Sequence, residues 1–139
     1  MRAGLLCISL FLLPAAAAAE EISREDALAI KAVVSEQLDA FKRDDAAKAF
    51  SLATAGIRAK FGTAEVFMDM VRSGYPVVYR PASLIFESPQ IIQGEVFQPV
   101  RMTDSEGRAW IAVYPMQRQE DGTWRIDGCQ LGRLPGRET

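Results

Sequence analysis

The residues best suited to chemistry crowd the last strand-like stretch of the chain. Arg125, Asp127 and Cys129 alternate there, so a regular strand would put all three on one face. A lone thiol can act as a nucleophile or a redox sensor when a base or cation activates it, and Arg125 is the cation at hand. The other reading of Cys129 is a small buried apolar residue. Asp127, in a pocket, could have its pKa raised and serve as a general base. Its other reading is a structural ion pair with Arg125. A second cluster, Tyr75, Tyr79 and Arg80, combines rigid aromatic rings with a guanidinium and suits an amphipathic or anionic ligand. Its tyrosines could equally pack under helices with their hydroxyls at the surface. Tyr114 lies on an apolar strand face and is the remaining tyrosine that could meet a ligand or partner Asp127. Asp39 sits one step off a helical apolar stripe and reads as solvated, whereas Phe97, Trp110 and Trp124 read as core.

Absences narrow the chemistry. The chain has no histidine, which removes the commonest general base and the commonest zinc or copper ligand. It has no Asp-rich calcium loop, phosphate-cradling glycine loop, serine-nucleophile elbow or dinucleotide fingerprint. No metal and no cofactor is expected. The formal charge of −2, without a basic cluster, argues against nucleic acid.

The 139 residues favour one domain preceded by an export signal. Arg2 gives a positive start, Leu5 to Leu13 an apolar run, and Pro14 with Ala15 to Ala19 a small-residue exit. Cleavage after Ala19 would leave residues 20–139 in the periplasm or outside the cell. Cys7 lies within the apolar run behind Leu6, so a lipid anchor is not expected, and no later run is long enough to span a membrane. With Cys7 removed, Cys129 has no partner for an internal disulfide.

Helices should come first. Ser23 and Asp26 resemble a capping box, with Ile22 stapled onto Ala27, and Ala27, Ile30, Val34, Leu38 and Phe41 form one stripe of a helix over 24–42. Asp44 or Asp45 caps a second helix, carrying Ala46 to Ala53 and closed near Gly56; Thr63 caps a third that stops at Gly74. The connector 74–81 should be stiff, with Tyr75 and Arg80 held extended by the prolines after them. Four strands follow, at 83–87, 91–103, 108–117 and 123–131, with turns at 104–107 and 119–122. Pro99 marks an edge or a bulge, and the tail after Gly132 reads as mobile. The 108–117 strand is apolar on both faces, with Trp110, Ala112, Tyr114 and Met116 on one and Ile111 and Val113 on the other, so both should be covered. The expected fold class is α+β: three N-terminal helices packed on a curved four-stranded antiparallel sheet. If the sheet curls, it encloses a cone-shaped cavity. The outer face is then open to a second copy of the chain, a homodimer through the sheet.

The stretch from Gln37 to Pro81 (QLDAFKRDDAAKAFSLATAGIRAKFGTAEVFMDMVRSGYPVVYRP) and the ending DGTWRIDGCQL, Asp121 to Leu131, resemble an uncharacterised family of secreted bacterial proteins, domain of unknown function 4864. The Asp-Gly turn followed by Trp-Arg-Ile is also similar to the last strand of the nuclear-transport-factor-2-like (SnoaL-like, cystatin-like) superfamily. That resemblance implies the cone fold and no particular activity, since the superfamily holds isomerases, dehydratases, lipid carriers and non-catalytic modules. Its enzymes often use Asp with His, excluded here, or Asp with Tyr. Three functions stay open: a non-catalytic module binding a small apolar or amphipathic ligand in the cone or a protein partner on the sheet; an isomerase- or dehydratase-like enzyme using Asp127 and a tyrosine; and a structural homodimer.

Overall fold

The structure, a computed structural model, describes residues 21–136. The expected export signal, residues 1–19, lies outside the described residues. Helices come first and a curled antiparallel sheet, a half-barrel, comes second, which is the α+β cone expected from the sequence.

The first helix, α1 (Arg24–Lys42), has the expected bounds. Ser23 caps it by accepting from the Asp26 N–H. The reciprocal half of a capping box is not made. Asp26 instead accepts from Arg118 and from Trp124 Nε1, which pins the start of α1 to the far end of the sheet. Ile30, Val34, Leu38 and Phe41 are all buried, as the stripe requires.

The helical half is divided more finely than expected. Asp45 caps α2 (Ala46–Ser51), and the helix then stops well short of Gly56. Leu52 to Thr54 leave it to bridge the sheet: Ile126 donates to the Leu52 carbonyl and Thr54 donates to the Ile126 carbonyl. Thr54 caps a separate α3 (Ala55–Phe61), and Thr63 caps α4 (Ala64–Gly74). In the connector, Tyr75 and Arg80 stay out of the helical region, at φ −133°, ψ 57° and φ −142°, ψ 73°, as their prolines demand. The residues between them nevertheless close one helical turn, α5 (Pro76–Tyr79), since proline suits the first helical position.

The sheet runs as four antiparallel ribbons built from six strands. The two central ribbons are β3 (Glu95–Thr103) and β4 (Ala109–Arg118). One edge ribbon is β1 (Ser83–Phe86) then β2 (Gln90–Ile92), both paired to β3; the other is β5 (Trp124–Ile126) then β6 (Gln130–Arg133), both paired to β4. Two expectations change. The expected strand 91–103 is a hairpin, turned at Gln93 and Gly94, both at positive φ. The tail expected to be mobile after Gly132 begins inside the sheet: Arg133 belongs to β6, and Leu134 donates to the Ala109 carbonyl.

Pro99 sits in a central strand because its missing N–H falls where β1 and β2 are interrupted. Glu87 donates to the Pro99 carbonyl at 3.1 Å. The return bond that an ordinary residue would make comes from a side chain: the buried Gln98 amide donates to the Glu87 carbonyl at 2.7 Å. The same pattern recurs in β4. Asp127 donates to the Pro115 carbonyl at 2.8 Å, where β5 gives way to β6. The four-residue step from Ile126 to Gln130 faces the three-residue step from Met116 to Val113, so the edge carries one extra residue. This bulge, with Gly128 at φ +135°, bends the ribbon and helps to curl the sheet.

Register puts Val96, Gln98, Val100 and Met102 of β3 beside Met116, Tyr114, Ala112 and Trp110 of β4 on the concave face. Nearly all are buried against α1, α4 and α5 in one core. Each fully buried large apolar side chain there contributes about 1.5–3 kcal/mol relative to exposure. Phe97, Pro99, Arg101, Ile111, Val113 and Pro115 lie on the convex face, where Ile111 and Val113 are half-buried.

Candidate functional site

Under the concave face lies a cavity of about 250 Å3. Gln37 and Phe41 of α1, Val71 of α4, Val78 of α5, and Tyr114 and Ile126 of the sheet form its deep wall. An aromatic cluster closes one side: the Phe67 ring lies 6.1 Å from Phe41 and 5.6 Å from Phe61. Ile57, Lys60, Met70, Tyr75 and Gly128, each with some exposure, form the rim. Among the described residues the Lys60 ammonium makes no ion pair; it lies over the Phe61 ring at 5.7 Å.

The structure divides the expected site residues into three groups. Tyr114, Asp127 and Cys129 line the cavity. Tyr79 and Arg80 line a separate open groove of about 750 Å3, between α5 and the 104–108 hairpin tip. Tyr75 lines both and stands between them, with its hydroxyl donating to the Cys129 carbonyl at 3.4 Å. Arg125 lines neither. It reaches the Ser51 carbonyl at the end of α2, where a cation complements the helix dipole and an orphan carbonyl.

The expected Arg125–Asp127 ion pair is therefore absent among the described residues. Asp127 accepts instead from the Thr54 hydroxyl at 2.7 Å and from Gln117 Nε2 at 2.9 Å, one on each carboxylate oxygen. The bulge is the physical reason: beyond Ile126 the alternation of faces fails, and Asp127, Gly128 and Cys129 all reach the cavity. Residues 125 to 127 are thereby stitched to 51 to 54, and Asp127 anchors the start of α3.

Tyr79 and Arg80 are likewise committed to structure. Asp44, at φ +53° just beyond α1, accepts from the Tyr79 hydroxyl, from Arg72 at 3.1 Å and from Arg80 at 3.2 Å. The Tyr79 bond and the Arg72 guanidinium hold the Asp44 carboxyl below the usual range. The network ties α4 and α5 to the α1–α2 loop. All its members are exposed or half-exposed, so each pair contributes little in water.

The cavity floor holds the unusual polar groups. The Tyr114 hydroxyl is buried and has no hydrogen-bond partner among the described residues. Leaving such a group unpaired costs about 1–3 kcal/mol. Burial raises its pKa well above the ordinary phenol value, and the neighbouring Cys129 thiol adds to the rise. Burial also pushes the Cys129 thiol up to about 12, so it is protonated and a poor nucleophile at neutral pH. Gln37 was overlooked in the sequence, where it lies three residues after Val34 and four before Phe41 on the buried stripe of α1. That spacing was the available signal. Its amide donates to the Ala49 carbonyl at 3.1 Å. The rim and aromatic residues of α3 and α4 carried no comparable signal, because apolar positions at helical spacing look alike whether they face a core or a cavity.

The fold and site define a small α+β cone with a mostly apolar cavity under its concave face, lined by Tyr114, Asp127 and Cys129 among others. The chain belongs to the family described as domain of unknown function (DUF4864), which matches residues 23–139. No curated protein and no solved structure matches it.

Proposed function

We propose that this protein is a non-catalytic binding module, exported by residues 1–19 and released after Ala19, that holds a small apolar or amphipathic molecule in the cone. The observation that carries the reading is the apolar, aromatic-walled cavity beneath the concave face. Pockets that are mostly apolar with a few convergent polar groups are the usual form of small-molecule sites. The commitment of Asp127 to Thr54 and Gln117, and the protonated state of Cys129, favour binding over acid–base or thiol chemistry.

Native mass spectrometry of the protein recovered undenatured from the periplasm of a bacterial host tests this. A bound mass lost on denaturation, and lost also in Val71→Phe, which fills the cavity, supports the reading. A wild-type protein that neither retains a ligand nor takes up small apolar probes overturns it.

A second reading, a homodimer through the convex face, is favoured by one row of residues. Ile85, 65% exposed, lies beside Arg101 and Ile111 there. Sedimentation of the wild type against Ile85→Glu tests it; a monomer in both cases removes it.

A further inference from the structure

Among the groups that line the cavity, one buried hydroxyl donor has nothing to receive from it. Tyr114 stands at the centre of β4, opposite Gln98, and its hydroxyl is buried without a partner among the described residues. The polar side chain that bears on it is Cys129, whose sulfur is a weak acceptor. The other side-chain donors nearby are engaged elsewhere. Gln37 donates to Ala49, Tyr75 turns its hydroxyl to the Cys129 carbonyl, and Gln98 donates to Glu87 and Pro99. Around Tyr114 the wall is hydrocarbon, from Phe41, Phe67, Val71 and Val78.

We infer that the ligand of this cavity is a compact apolar molecule carrying a neutral carbonyl, and that the Tyr114 hydroxyl donates to that carbonyl. A carbonyl oxygen accepts through two lone pairs, which suits one O–H, of Tyr114, and one S–H, of Cys129. A carboxylate fits less well. Lys60 lies out at the rim, Asp127 shares the wall, and a buried anion without a cation is strongly disfavoured. The volume suits one or two fused rings: an apolar cavity of roughly 150 Å3 already takes benzene. This inference rests on the binding reading given above and assigns Tyr114 the choice of ligand.

The test uses two probes with one bicyclic skeleton, 1-tetralone and tetralin, titrated calorimetrically into the purified wild type and into Tyr114→Phe. Expected is a roughly tenfold loss of 1-tetralone affinity in Tyr114→Phe, the worth of one buried hydrogen bond, with tetralin affinity unchanged. The carbonyl stretch of bound 1-tetralone should lie at lower frequency in the wild type than in the variant. If both probes bind and 1-tetralone affinity is the same in the two proteins, the acceptor inference is overturned while the cavity reading stands. If neither probe binds the wild type, both fall.

Discussion

The Thr54 hydroxyl donates to the Asp127 carboxylate across 2.7 Å, joining residues 73 positions apart in the chain. The same Thr54 oxygen accepts from the Ile57 N–H and so caps α3. One hydroxyl thus starts a helix that forms part of the cavity rim and fixes the bulge that forms another part.

Removing either partner should therefore weaken the same element. Thr54→Ala removes a helix cap, worth about 1 kcal/mol, and leaves Asp127 short of a donor. Asp127→Ala should destabilise by about 1–3 kcal/mol. The double variant should fall short of the sum by about 1 kcal/mol in urea unfolding, because the two changes remove one shared interaction. Strict additivity would show that the pair is not coupled.

Gln98 supplies the hydrogen bond that Pro99 cannot make. Gln98→Leu should destabilise by about 1–3 kcal/mol, since the Glu87 carbonyl then loses its donor. Pro99→Val restores a backbone N–H at that position. In that background the Gln98→Leu penalty should shrink markedly, as read from denaturant midpoints at constant m.

Of two glycines in the last ribbon, one should be sensitive to substitution and the other tolerant. A Cβ on Gly128 meets nothing closer than 3.7 Å, but its φ of +135° strains any other residue. Gly128→Ala should lower stability by about 1–3 kcal/mol. Gly132 has no such backbone, and its added Cβ would rest 3.6 Å from Ile111 in ordinary contact. Gly132→Ala should leave the melting temperature nearly unchanged.

The half-buried Cys129 thiol should give the protein an alkaline weakness. The folded-state pKa of Cys129 is raised to about 12 from an ordinary 9.0. The neutral thiol's contribution is thus complete below about pH 9 and is lost as pH climbs towards 12, because the unfolded chain sheds the proton first. Between about pH 9 and pH 11 the wild type should lose stability faster than Cys129→Ala, by up to about 1.4 kcal/mol per pH unit. Parallel urea midpoints for the two proteins in that range would refute the assignment.

Features whose causes lie close together in the chain could be read before folding. The stripe from Ile30 to Phe41 and the Ser23 cap define α1 to the residue, because helix geometry and capping are settled within one or two turns. The turns at 104–107 and 119–122 close as their composition implies, each with glycine at positive φ. The order of helices then sheet, and so the α+β class, follows from those local patterns.

What the local pattern could not hold are the interruptions, and the cavity depends on them. The helix expected to run to Gly56 breaks at Leu52 because Ile126, far away in sequence, offers those residues a strand to bridge. The last strand breaks at Asp127 because Pro115, in the facing strand, has no N–H to give. That extra residue undoes the alternation that placed Arg125 with Asp127 and Cys129. Tyr114 alternates correctly in the sequence, yet only the packing of α1, α4 and α5 over β4 leaves its hydroxyl buried beside a cavity. Period and propensity fix which way a side chain points from its own backbone; whether a partner, water or empty space waits there is decided by elements that meet only in the folded chain.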